Sequence, residues 1–407
     1  VQTIDVEIEK LVYGGAGLGR VDGRTVMVPF TLPGERLTAE IRRETPKLIQ
    51  GRAQEFQVQS ESRTAPACPV FAKCGGCNYQ HVPYEAQLEF KREILRESLA
   101  RLGKIEWNDE IPVISAEPWG YRNRTQLRIW KGGKTAEVGF MAAASHRFVA
   151  ADECPINSPK LNEVHAKLRE MARAKRFPHF LHELELFTNE TDVQLNVRGN
   201  KQRPAKSFFE WLGSEIDGLL PGEYLEYPSG EDLFRVGSRS FFQVNRFLTD
   251  RLAQTAVEGY GSDGSNGSAL DLYAGVGLLT LPLARRFAQT TAVDSSGAAV
   301  RSLGFNARRA GVEAKVVHMN VDAYLAGLQE TPDLVVADPP RAGLGPAVTQ
   351  ELVRLAPPQI SLVSCDPTTL ARDLQTLTAS GYRIAGMTLL DLFPQTYHLE
   401  TIVRLDR

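Results

Sequence analysis

At 407 residues, 43% hydrophobic and 24% charged, the chain is too long for one ordinary core, and two or three domains are expected. A formal net charge of −2 excludes a diffuse polycation that coats nucleic acid, though not a local basic groove. No apolar run approaches the ~20 residues that span a bilayer, and the opening VQTIDVEIEK lacks a signal peptide's basic and greasy parts; a cytoplasmic protein without membrane contact is expected, its missing initiator Met pointing to a processed start.

Residues 1–58 alternate apolar and polar side chains between turns at Gly14-Gly15, Asp22-Gly23 and Pro33-Gly34, the pattern of a small β-barrel. QVQSESRTAPA (57–67) reads as a linker. A central α+β domain is expected over 62–230. It opens with Cys68, Cys74 and Cys77, then EAQLEFKREILRESLARLG (85–103), whose apolar positions 88, 90, 94, 95, 99 and 102 mark one face of a helix ended by Gly103. Strand-like TQLRIW, AEVGFM and DVQLNV and helix-like PKLNEVHAKLREMARA follow. Two runs free of acids are candidate phosphate contacts: Tyr121 to Lys134, with Arg122 and Arg124, and 193–209, with Arg198, Lys201, Arg203 and Lys206.

A third domain is expected over 231–407, with helix 85–103 as a candidate to pack on it. GSDGSNGS (261–268) reads as a flexible loop; after it, strand-like ALDLYA, QTTAVD, AKVVHM, DLVVAD and ISLVSC alternate with helical segments. That alternation marks an α/β fold with a doubly wound parallel sheet and a ligand at the strands' C-terminal edge. In DLYAGVGLLT, Gly275 and Gly277 allow close backbone approach, but Thr280 stands where a pyrophosphate-binding loop has its third glycine. Asp294, ending the next strand, is placed to accept from two ribose hydroxyls. An adenosyl group without a diphosphate fits S-adenosylmethionine better than NAD; a simple helix cap is the plainer use of that Asp. In DPPRAGL (338–344) the prolines stiffen a turn that fixes Asp338, and Arg341 stands where adenine N-methyltransferases carry an aromatic.

The fifth cysteine, Cys365 in LVSCDPTTLARDL, falls where an apolar run stops against Asp366 and Pro367. It is either a small buried hydrophobe or a nucleophile. Carbon 5 of uracil is too weak a nucleophile to take a methyl group from a sulfonium unaided. A thiolate added at carbon 6 raises charge density at carbon 5, and a base must then remove the carbon 5 proton. Cys365 can supply the thiol and Glu400 of HLETIVRL the base, with His398 as the competitor.

YGGAGLGR, CPVFAKCGGCNYQH, FFQVN, DLYAGVGLLT, ADPPRAGL, SCDPTTLARDL and HLETIVRL occur in that order over nearly the whole chain. In this the chain resembles the S-adenosylmethionine-dependent RNA uracil-C5 methyltransferases, in the iron–sulfur branch acting on 23S ribosomal RNA. The resemblance implies an N-terminal OB-like TRAM β-barrel for RNA binding, a central iron–sulfur domain and a Rossmann-like methyltransferase domain. It implies Cys365 as nucleophile, Glu400 as base, Gln243, Tyr273, Asp294 and Asp338 as cofactor contacts, and Phe241 beside the target base. The family often has Glu at the position of Asp294 and a polar residue at that of Leu278. Four thiolates, Cys68, Cys74, Cys77 and Cys154, suit a cubane cluster or tetrahedral zinc, and spacing does not separate them. The resemblance implies [4Fe–4S]. RNA is the expected partner, with no obligate protein partner evident; transfer RNA as substrate, cytosine-C5 chemistry and an inactive cluster-bearing RNA-binding protein are the alternatives.

Overall fold

The computed structural model of the chain describes residues 2–131, 135–143, 145–178, 180–199, 202, 204–220, 224–261 and 265–407. Six N-terminal strands pair in the order Thr3–Glu7, Arg36–Glu44, Leu48–Val58, Arg24–Pro29, Ala16–Val21, Lys10–Leu11. Their inward alternation buries Val6, Val26, Val28, Leu37 and Ile49 in one core. Where Ala16–Val21 passes Thr3–Glu7, a Cβ on Gly19 would stand 2.1 Å from the Glu7 carbonyl oxygen, so closing the barrel requires glycine there.

The stretch 57–67 is not the free linker expected from its polarity. Gln57 and Val58 complete the strand Leu48–Val58. Beyond them, buried Glu35 accepts from the Ser60 amide at 3.2 Å and from Arg63 Nε and Nη2 at 2.9 and 2.8 Å. Arg63 Nη2 also donates to the Phe30 carbonyl at 3.0 Å. A charge-assisted fork thus ties the next domain to the barrel.

The central domain is a sheet in the order Phe148–Val149, Ala136–Met141, Arg124–Lys131, Glu183–Thr188, Val193–Arg198, Leu219–Leu220. Helix Pro159–Met171, capped by the Ser158 hydroxyl with Pro159 in its first turn, lays Leu161, Val164 and Leu168 on it. A hairpin follows, Tyr224–Ser229 with Asp232–Gly237. Residues 230 and 231, the border read from sequence, are its turn. Tyr227 and Phe234 of the hairpin pack with central Phe187 and with Val276 and Leu281 of the last domain, so the border crosses a shared core.

The largest sheet has eight described strands, ordered Lys315–His318, Phe287–Asp294, Ser265–Leu272, Leu334–Ala337, Gln359–Ser364, Glu400–Asp406, Arg383–Leu390, Val113–Ile114. Glu400–Asp406 runs antiparallel to both neighbours. The last strand is donated from the central segment and pairs parallel with Arg383–Leu390. Residues 265–268 are strand and not loop: Asp333 Oδ2 accepts from the Ser268 amide at 2.7 Å and its hydroxyl at 3.0 Å. Residues 262–264 lie outside the described part.

Helix Tyr84–Ser98 continues through a π turn, Leu99–Gly103, and packs on Pro367–Ala379 of the last domain. The residue that stops it in the left-handed region is Lys104, not Gly103. Gly103 serves a different need, since a Cβ there would meet the Ala371 carbonyl oxygen at 2.9 Å. Earlier in the same helix, fully buried Lys91 donates to Asp391 Oδ1 at 2.5 Å and to the Phe393 carbonyl at 2.9 Å, while Tyr84 donates to Asp391 Oδ2 at 2.8 Å. Removing one partner strands a buried charge. Lys91→Met is therefore expected to cost about 3–5 kcal/mol of stability, read as a lower urea midpoint, and Lys91→Met with Asp391→Asn to recover much of it.

Candidate active site

The C-terminal ends of the parallel strands gather most of the residues singled out in the sequence. Asp271, near the end of Ser265–Leu272, is fully buried and accepts from the Thr280 hydroxyl. Burial pushes its carboxyl up to about 7, with Asp338 and Asp294 adding to the rise and Thr280 opposing it. The turn that follows is left-handed at Tyr273 (φ 62°), Gly275 (56°) and Gly277 (101°). Asp294, ending the neighbouring strand, accepts from the Gly275 amide at 2.9 Å and from the Ser296 amide at 2.7 Å. Phe241, Gln243, Asp271, Tyr273 and Asp338 line one small cavity of about 50 Å³. The sequence places Asp271 with the two glycines at the strand-to-helix turn but gives it no role; an acid between Leu270 and Leu272 was the available signal. Phe241 stands on the cavity's rim, 63% exposed, an unusual position for a phenylalanine and not that of a core aromatic.

Asp338, just past Leu334–Ala337, accepts from Gln243 Nε2 at 3.3 Å, and burial pushes its carboxyl up to about 6. Cys365 follows Gln359–Ser364. The reversed strand pairs Ser364 with Thr401, so Glu400 begins where Cys365 stands. Burial, then Glu400 and Asp338, push the Cys365 thiol up to about 12, and Arg341 opposes them. Glu400 is itself buried, with Oε1 unpartnered among the described residues, and burial followed by Asp338 raises its carboxyl well above the ordinary 4.5. His398 Nε2 lies 3.4 Å from Arg341 Nη2; burial and then Arg341 push the imidazole down to about 4, leaving it neutral at neutral pH.

The four early cysteines line a second cavity, of about 380 Å³, together with Arg122 and Arg124. Burial pushes Cys77 up to about 12 and Cys154 up to about 11. Among the described residues no group of three or more His, Cys, Asp or Glu side chains forms a metal-holding set. The basic runs are corrected by their surroundings. Arg124 is sunk against the Phe187 ring, 4.3 Å from its centroid, and donates to the Ser240 carbonyl at 3.1 Å. Arg198 pairs with Glu185 at 2.7 Å and Lys206 with Glu210 at 3.2 Å. Arg198 thus meets an acid in space, whereas Lys206 stays exposed; Lys134, Lys201 and Arg203 lie outside the described residues.

Leaving aside the donated strand Val113–Ile114, seven described strands with one reversed, a glycine turn and an acid ending the second strand have the form of a Rossmann-like methyltransferase. A tRNA (uracil-5-)-methyltransferase family model matches residues 223–407, and a TRAM domain model residues 1–53. The chain is 35% identical over 433 residues to a 23S rRNA (uracil(1939)-C(5))-methyltransferase of Halomonas elongata, covering 99% of this chain and 89% of that protein. It is 31% identical over 439 residues to an uncharacterized RNA methyltransferase of Thermosynechococcus vestitus, covering 99% and 98%. Among solved structures, the Pyrococcus abyssi tRNA (uracil-54, C5)-methyltransferase in complex with S-adenosyl-L-homocysteine matches with a TM-score of 0.73 and 26% identity over 99% of this chain and 100% of that one. The chain belongs to the S-adenosylmethionine-dependent RNA uracil-C5 methyltransferase family.

Asp294→Ala removes the acceptor of two amides that shape the glycine turn. Binding of S-adenosylhomocysteine, measured by calorimetry, is expected to weaken about 10- to 100-fold with the unfolding midpoint little changed.

Proposed function

We propose that this chain methylates carbon 5 of a uridine in 23S ribosomal RNA through a covalent bond between Cys365 and carbon 6 of the base. The observation that carries the reading is that Cys365 follows, and Glu400 begins, two paired antiparallel strands at the same edge, where Glu400 and Asp338 raise the thiol's affinity for its proton and Asp338 raises that of Glu400. The cofactor turn supports it from the neighbouring strand. Asp294, already bonded to Gly275, has lone pairs left for ribose hydroxyls, and Gln243, Tyr273 and Asp338 line the adjoining cavity. S-adenosylmethionine, when bound, supplies an electrophilic methyl group.

Cys365 must lose its proton before Sγ adds to carbon 6, and Arg341 is the neighbouring charge that favours the thiolate. Addition makes carbon 5 nucleophilic enough to take the methyl group. Glu400, whose unpartnered Oε1 is free to accept, then removes the carbon 5 proton; the carbon–sulfur bond breaks and the thiolate returns. The exposed ring of Phe241 offers a stacking surface for a base swung out of folded RNA. Ribosomal RNA is favoured over transfer RNA because the 23S rRNA enzyme of Halomonas elongata is the more similar relative, at 35% identity against 26% for the tRNA enzyme.

The test is a pair of variants with unmodified 23S rRNA. Cys365→Ala is expected to abolish methyl transfer. Glu400→Gln is expected to accumulate an RNA–protein adduct on denaturing gels; normal turnover by both variants would sink the reading. The pH dependence has a definite sign. Glu400 acts as a base only when ionised and its carboxyl is raised, so breakdown of the wild-type adduct should slow as pH falls through a midpoint above 4.5.

Cys68, Cys74, Cys77 and Cys154 do not stand as a metal-holding set among the described residues, but four thiols are the donor chemistry of a [4Fe–4S] cluster, for which zinc is the alternative. All four line one cavity, and buried Arg122 Nε, Arg124 Nε and Arg124 Nη2, from the two arginines that share its lining, have no hydrogen-bond partner among the described residues. Cationic N–H groups left so suit an anionic tetrathiolate centre. Such a centre would tie Cys154 to the 68–77 segment and supply no electron to a methyl transfer. Anaerobically purified protein is expected to contain about four iron and four sulfide per chain; zinc without sulfide would contradict the cluster.

A further inference from the structure

The glycine turn after Lys10–Leu11 belongs to the barrel, yet it touches Asp366, next to Cys365, and Tyr397, in the loop that leads to Glu400. The Tyr13 hydroxyl donates to Asp366 Oδ2 at 3.1 Å, across 353 positions of chain. Asp366 directly follows Cys365. Its other oxygen accepts from the amides of Thr368 at 2.8 Å and Thr369 at 3.3 Å and so caps helix Pro367–Ala379. The Tyr13 ring also meets Tyr397 edge-on, with centroids 5.4 Å apart and planes at 87°. Tyr397 stands three positions before Glu400 and lies against His398, 4.3 Å between centroids. The turn is pressed into this place: a Cβ on Gly15 (φ +84°) would stand 3.1 Å from Asn78 Cβ and 3.3 Å from Tyr397 Cδ1.

We propose that Tyr13 is a positioning residue for the methyl transfer, holding the loop of the thiol through Asp366 and the loop of the base through Tyr397. The inference rests on Cys365 as nucleophile and Glu400 as base. The groups acting on the Cys365 thiol are Glu400, Asp338, Arg341 and Asp366. A phenol donating to Asp366 draws part of its negative charge away from the thiol and keeps its carboxylate turned toward the helix amides. Tyr13 remains the donor throughout, because burial and the neighbouring Asp366 push its hydroxyl well above the ordinary range. The barrel thereby becomes part of the catalytic centre's framework as well as an RNA-binding module.

Tyr13→Phe removes one oxygen and keeps the ring against Tyr397. The measurement is iodoacetamide alkylation of Cys365 in the full chain without RNA, followed on the Cys365 peptide by mass spectrometry from about pH 7 to pH 11. The variant's profile is expected to move to higher pH by about half a unit to one unit. Methyl transfer is expected to fall about three- to tenfold in kcat with KM for RNA unchanged, and Tyr13→Leu, which also loses the ring contact, to fall further. Superimposable alkylation profiles overturn the proposal whatever happens to turnover. So does a raised KM with kcat intact, which would make Tyr13 an RNA contact only. Failure of the underlying assignment reads differently: Cys365→Ala would then keep its turnover while the alkylation shift in Tyr13→Phe is judged on its own.

Discussion

Cys365, Asp338 and Glu400 cannot all carry charge where they stand. Each is pushed toward its protonated form by burial, and acidic neighbours add to the push at Cys365 and at Glu400. Burial and these neighbours thus hold the thiol toward its protonated form. A chemistry that first needs a thiolate and then needs a carboxylate can use such a site, because each deprotonation alters the neighbour's. Arg341, set against neutral His398, is the opposing charge. Much of the surrounding structure serves to keep these groups together and away from bulk water.

The sheet topology makes the juxtaposition possible. In an all-parallel sheet, an acid at the N-terminal start of a strand would lie at the edge opposite Cys365. Reversing Glu400–Asp406 brings that start to the C-terminal edge of its neighbours, with Ser364 and Thr401 in register. The loop leading into that strand is then fixed from outside. Lys91 and Tyr84 bind Asp391, and Gln395 accepts from the amides of Asn78 and Tyr79 at 2.9 and 3.0 Å. The barrel is held by the Glu35–Arg63 fork. Domains separate in sequence thus share packing around one edge of the sheet.

What could be read in the sequence was local and periodic. Strand–helix alternation after residue 265, the inward pattern of the barrel strands and the stretch around Gly275 and Gly277 all announce themselves within a few residues. What could not be read depends on distant partners. Glu35 fixes a polar stretch that resembles a linker, Asp333 extends a strand into Gly- and Ser-rich sequence, and Glu185 neutralises Arg198 in a run that lacks acids. Lys104, not the adjacent glycine, ends its helix because Gly103 is needed where the chain approaches Ala371. Asp271 shows the same limit within a motif, for its importance lies in burial beside two other acids. At the site, chemistry indicated which residue types to seek, and folding brought Phe241, Gln243, Tyr273 and Asp338 to one cavity and Cys365 beside Glu400.

Tritium release tests the central claim most directly. Unmodified 23S rRNA labelled at carbon 5 of uracil, the intact protein and S-adenosylmethionine make up the reaction, and a parallel sample carries the label on cytosine. One tritium released per methyl group transferred, from uracil alone, is the predicted result, since the base must remove the carbon 5 proton before the thiol can leave. Methyl transfer without release from uracil, or release from cytosine, would contradict the account.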